Sequence, residues 1–197
     1  MQESHVGHQT RLSFYLVLIC TTVLLVLMWG LTPESTASVV WSSVALCGCL
    51  IFSWSFIGQT RARLSFFSFL LSCVAFSLAY WQHIVHPIQW WLPITLIAIG
   101  IVLYLLFLPY IDTRMTVVAV LGIGLLGLIW SASEWWLQVR SWDSWEAFVG
   151  AALWFTVFFR VMVYPGQKKQ GEVSFLTTAG FLLALCLLVV SLLPYHS

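Results

Sequence analysis

Seven apolar stretches, each close to the length a helix needs to cross about 30 Å of hydrocarbon, follow one another along this chain. They lie roughly at residues 12–30, 38–58, 64–81, 90–110, 115–133, 145–163 and 174–194. In lipid every backbone N–H and C=O must be satisfied within the protein, so spans are helices or closed barrels. Continuous apolar runs without dyad alternation exclude the barrel. The pattern predicts an all-α, polytopic transmembrane bundle of about seven spans, with residues 1–197 forming a single integral membrane domain. Charged residues make up 8% of the chain, against about 25% in a soluble domain, so no stretch remains for a separate soluble domain.

The first apolar stretch follows Arg11, as a signal peptide would follow its charged flank, but its core of about 19 residues exceeds a secretory signal and no A-x-A site follows. Bulky Ile19 before Cys20 is also unlike a lipoprotein cleavage site, so the segment reads as a retained span. With seven crossings Arg11, Arg61, Arg63, Arg114, Lys168 and Lys169 share one side, Arg160 lies close to it, and Arg140 alone falls opposite. The basic side is cytoplasmic, which predicts a cytoplasmic N-terminus and an exterior C-terminus in a bacterial inner membrane. Trp81, Trp90, Trp91, Trp135, Trp136, Trp142 and Trp145 then cluster in the two longer exterior connections as an interfacial belt. Short connections predict that consecutive helices pack as antiparallel neighbours. Small residues would permit close contacts: Gly122, Gly124 and Gly127, then Gly150 to Ala152, then Ala179-Gly180.

Ionisable groups deep in a bilayer mark function, and the central parts of these spans carry no Asp, Glu, His or Lys. That pattern argues against a proton relay, ion-coupled transport and bis-histidine haem ligation. A net charge of +1 without a basic run longer than Lys168-Lys169 argues against nucleic acid as a partner. Cofactors are expected to be none. Arg160 lies about 6 Å from the end of its span, close enough to snorkel and anchor at the lipid headgroups, or to pair a lipid phosphate at a cavity mouth.

On the exterior side, His83 and His86 form an H-x-x-H pair that Glu134, Arg140, Asp143, Glu146 and His196 could accompany. Such a pair can chelate a metal on one helical turn, but Pro87 disfavours helix at that point. The five cysteines lie in apolar segments as small hydrophobes, and Cys47-Gly48-Cys49 lacks further metal ligands nearby. Ser53, Ser55, Ser65, Ser68, Ser72, Ser77, Thr21, Thr22 and Thr156 have neither a nucleophile elbow nor a neighbouring base. They are expected to bond back to carbonyls of their own helices.

Three blocks carry a family resemblance: "RARLSFFSFLLSCVAFSLAYW", "AFVGAALWFTVFF" and "TTAGFLLALCLLVVSLLP". Together they resemble the lysoplasmalogenase-like (YhhN) family of multi-pass membrane proteins over roughly residues 40–194, with the family's first of eight spans lacking. The resemblance implies hydrolysis of the vinyl-ether bond of lysoplasmalogens, a reaction that needs an acid to protonate the enol ether and a base to position water. It also implies polar residues at Ser53-Trp54, Ala75, Val157-Phe158 and Phe181, positions at which Trp54, Ala75, Val157, Phe158 and Phe181 are apolar or aromatic.

Two readings follow. One is a divergent lysoplasmalogenase-like protein with lost or altered catalysis, in which Glu134, Asp143 and Glu146 are the carboxylates left to act. The other is a non-catalytic protein that binds membrane lipids or assembles with another membrane protein, its former cavity plugged by Trp54, Phe158 and Phe181. A transporter would need broken helices and buried charges that this sequence does not show.

Overall fold

The computed structural model describes residues 2–31, 37–57, 62–111, 115–163 and 170–193. Among these it has seven helices and no strand: α1 (Gln2–Leu31), α2 (Ala37–Ile57), α3 (Ala62–Trp81), α4 (Trp91–Ile111), α5 (Met115–Val139), α6 (Trp142–Val163) and α7 (Gln170–Val190). Three segments are long and apolar enough to cross a membrane: Ala37–Trp54, Leu64–Trp81 and Thr116–Val139. Shorter apolar helical stretches run over Tyr15–Gly30, Trp91–Leu106 and Leu176–Val190. Asp112, Arg114, Arg61, Lys168, Lys169 and His196 lie outside the described residues, and so do the side chains of Arg11, Arg63 and Arg160.

Six helices form a closed ring, in which α1 packs on α2, α2 on α3, α3 on α5, α5 on α6, α6 on α7, and α7 back on α1. Helix α4 stands outside this ring, against α5 and the edge of α6. The expectation that consecutive helices are neighbours therefore fails at α3, whose partner is α5. Residues 82–90 form an extended connection carrying Pro87, long enough to lead the chain past the adjacent position. Gly124 meanwhile lets Leu70 of α3 approach α5 closely: a Cβ there would come 2.8 Å from Leu70 Cδ1.

The tightest seam joins α2 and α3. A Cβ on Gly48 would collide with Ser72 Oγ and sit 2.9 Å from the Ser68 carbonyl oxygen. Ser72 donates across the seam to the Ala45 carbonyl at 3.0 Å, as well as to Ser68 O at 2.9 Å in its own helix. Most other hydroxyls bond back within their helices: Thr21 to Val17 O, Thr22 to Leu18 O, Ser53 to Cys49 O, Ser68 to Ser65 O and Thr156 to Ala152 O. Ser77 is an exception, reaching Gly127 O of α5 at 3.3 Å.

Helix α5 runs six residues beyond the predicted end of its span, so Glu134, Trp135 and Trp136 are helical and do not lie in a connection. The α5–α6 joint is only Arg140-Ser141. Arg140 takes a left-handed conformation (φ 53°) and its N–H bonds Trp136 O at 2.9 Å, closing α5 as a glycine usually does. Ser141 then caps α6 reciprocally with Ser144. Ser144 N–H donates to Ser141 Oγ (3.2 Å), and Ser141 N–H donates to Ser144 Oγ (3.0 Å).

Candidate functional site

The resemblance placed its polar positions on α2, α3, α6 and α7, and the structure brings most of them into the centre of the ring. Phe158 stacks on Phe69 with ring centroids 4.7 Å apart and planes 17° apart. Phe181 lies 5.8 Å from Trp154 and 6.3 Å from Phe52, and Trp154 sets its edge against both Phe69 and Phe76. Ala75 is buried beside this cluster in the core. Val157 faces the last helix, where a Cβ on Gly180 would come 2.8 Å from Val157 Cγ2. The rings pack edge to face, stacked or tilted against one another, so the space between α3, α6 and α7 is filled with aromatic rings, with Trp154 Nε1 buried there without a partner. Trp54 does not belong to this plug. Its side chain is 66% exposed on the outer surface of α2, because it lies one residue, about 100° of helical turn, from buried Ser53.

A second, polar constellation sits where α3, α4, α5 and α6 end together. Glu134 is fully buried on α5. Its Oε1 accepts from the backbone N–H of Gln89 and from Gln138 Nε2, both at 3.0 Å. Gln138, one turn further on, accepts from His86 N–H at 3.1 Å through its Oε1 and donates to His86 O at 3.3 Å. Together the two side chains pin the 82–90 connection onto α5. Glu134 Oε2 is buried with no hydrogen-bond partner, an arrangement that is costly unless something further binds there.

His83 stacks on Trp135 at 4.9 Å, Tyr80 stacks on the same indole at 5.6 Å, and Tyr80 Oη donates to Leu188 O of α7 at 2.9 Å. Burial pushes the His83 imidazole below its ordinary pKa, and its Nε2 is buried without a partner. His86 is exposed, and Pro87 follows it in a non-helical stretch, so the two histidines do not share a helical turn. Among the described residues no group of three or more His, Cys, Asp or Glu side chains comes together as a metal site would require.

The three carboxylates proposed as substitutes for the family's polar groups lie on two helices, Glu134 late in α5 and Asp143 and Glu146 at the start of α6. Asp143 and Glu146 are half-buried on the first turns of α6, where Asp143 complements the helix dipole. No hydrogen bond or ion pair among the described residues joins either to Glu134. Of the three, Glu134 is the one that is fully buried and that holds a connection in place. Its burial was hidden in the sequence because α5 was expected to end before it; the available signal was the i, i+4 spacing of Glu134 and Gln138 on a continued helix.

On the outer surface, α3 and α5 leave a groove of about 400 Å³ lined by Leu70, Val74, Ser77, Leu78, Val120, Ile123 and the glycines at 124 and 127. It ends at Trp81, whose ring sets edge-on to Trp130 at 5.3 Å. Ile123 and Val74 are 70% and 45% exposed there, so the groove faces the surroundings of the bundle and not its ring.

Comparison with known proteins decides the family. The YhhN family model matches residues 13–157, most of the chain. This chain belongs to the YhhN family. The match begins inside α1, so the first helix is part of the family region, and it stops at Val157, short of Phe158, Arg160 and all of α7. This shifts the region of likeness towards the N-terminus relative to residues 40–194, and the correspondences drawn at Phe158 and Phe181 stand outside it. No curated protein and no solved structure matches the chain. It is a helical membrane protein of the YhhN family.

Proposed function

We propose that this YhhN-family protein crosses the membrane seven times, with its N-terminus in the cytoplasm and its C-terminus outside, and engages lipid without hydrolysing vinyl ethers in the interior of its helix ring. The observation that carries this reading is the packed aromatic cluster of Phe52, Phe69, Trp154, Phe158 and Phe181. Protonating an enol ether requires an acid, and phenylalanine and indole rings supply none. The α3–α5 groove supports the lipid part, since its apolar wall and its room suit a single alkyl chain lying along the helices. Arg160, near the cytoplasmic end of α6, would anchor at headgroup phosphates.

A second reading is favoured by one observation, the unpaired buried oxygen of Glu134. In it, vinyl-ether chemistry has moved to the exterior end of the bundle with Glu134 as its acid. Purified protein incubated with lysoplasmalogen separates the two. The first predicts aldehyde release no faster than the protein-free rate, together with single-chain lipid retained in native mass spectra and reduced in Gly127→Leu. Turnover abolished by Glu134→Gln establishes the second. Robust turnover that survives alanine at Glu134, Asp143 and Glu146 overturns both.

A further inference from the structure

The ring of helices closes where α1 meets α7, and at that seam Cys20 Sγ lies 3.8 Å from Cys186 Sγ across 166 residues of chain. Both thiols are free and half-buried; Cys49 and Cys73 are buried, and Cys47 is exposed, so it is the short distance between the sulfurs that singles out this pair. The pair opens outwards. Ile19 and Val23 flank Cys20 on α1 at 58% and 50% exposure, and Leu183 and Val190, three residues before and four after Cys186 on one stripe of α7, are 56% and 42% exposed. These neighbours belong to the apolar stretches Tyr15–Gly30 and Leu176–Val190. Where α1 and α7 cross the membrane, as proposed above, a reagent must be soluble in hydrocarbon to reach this dithiol. Drawing the sulfurs together to the disulfide length of about 2.05 Å moves each by less than about 1 Å, within reach of small side-chain rotations.

We propose that Cys20 and Cys186 form a dithiol site for lipid hydroperoxides, closing to a disulfide that bolts the first helix to the last. One thiol gives up its proton and its sulfur, as thiolate, attacks the terminal peroxide oxygen; the O–O bond breaks, and the lipid alkoxide takes up that proton and leaves as an alcohol. The sulfenic acid so formed is attacked by the second sulfur; its hydroxyl leaves as water with the second proton, and the S–S bond forms. The two thiols are oxidised by two electrons, which reduce the hydroperoxide to alcohol and water. The proposal rests on the membrane crossing of α1 and α7 proposed above and is independent of the reading given for the ring interior and for Glu134.

The test uses the full chain in liposomes, treated with linoleic acid hydroperoxide or with an equal concentration of hydrogen peroxide, then denatured and titrated for thiols. The expected result is a fall from five thiols to three. Peptide mapping should show the Cys20–Cys186 bridge, and formation should be at least about tenfold faster with the lipid oxidant, because the thiolate character of the pair is the same in both arms and exposure to the oxidant then sets the rate. Cys186→Ser should form no internal bridge and leave a dimedone-reactive sulfenic acid at Cys20, and dithiothreitol should restore five thiols in the unaltered chain. Retention of all five thiols, a bridge to another cysteine, or equal rates with the two oxidants overturns the proposal.

Discussion

Glu134 is a carboxylate turned to fastening. Two N–H donors converge on Oε1, and each hydrogen bond contributes a net of about 1–1.5 kcal/mol. Glu134→Ala should therefore destabilise the protein by about 2–3 kcal/mol, read as a lower denaturation midpoint in detergent, and should free the 82–90 connection to faster amide exchange. Glu134→Gln keeps an acceptor and should lose markedly less; equal losses would show that the connection is held by something else. His83 adds a pH dependence. Its pKa is lowered in the fold from 6.5 by burial, so the unfolded chain binds the extra proton first as pH falls. The stability tied to its neutral form is complete above that ordinary value and is lost as pH drops through the folded one. Denaturation midpoints at pH 7.5 and pH 5 should differ by less in His83→Phe, which keeps a ring on Trp135 and has nothing to protonate.

Elements meet through particular glycines, and the composition of the helices does not say which. Gly48 has Ser72 and the Ser68 carbonyl where a methyl would go, whereas Gly122 has no atom within 4 Å of that position. Gly48→Ala should cost about 1–3 kcal/mol, the usual penalty for overpacking, by forcing α2 from α3. Gly122→Ala should be neutral or gain up to about 1 kcal/mol from helix propensity. Thermal midpoints of the two variants in the same detergent check the contrast, and equal effects would remove the packing argument for Gly48. The α5–α6 joint makes the same point from the other side. Its left-handed residue is an arginine, so the glycine that normally betrays a helix end is missing and α5 reads six residues short.

For the whole molecule, the ring of six helices with α4 outside decides what each face meets. The proposed seven crossings would put the ends of the chain on opposite sides, and the distribution of basic residues would place the N-terminus in the cytoplasm. Val85 is 86% exposed in the α3–α4 connection. In a chain whose five cysteines are replaced by serine, Val85→Cys should react with an impermeant maleimide added outside intact cells, while an N-terminal epitope stays hidden until the membrane is opened. Labelling with the opposite sidedness would invert the bundle, and protection at both sites would break the count of spans.

The existence of the helices, their order and the boundaries of most of them were set by the run length of apolar residues, because hydrocarbon leaves the backbone no other way to satisfy itself. The same runs carried the family likeness and the apolar character of positions 75, 157, 158 and 181. Which helices touch could not be read there, since lipid tails and neighbouring helices are equally apolar and hydropathy does not tell one from the other. Only the tertiary structure put α5 beside α3, turned Trp54 outwards while Phe158 and Phe181 turned in, buried Glu134 and brought Cys20 to Cys186. Each of those outcomes depends on rotation about a helix axis and on contacts between residues far apart in the chain, where a shift of one residue, about 100°, exchanges the inside for the outside.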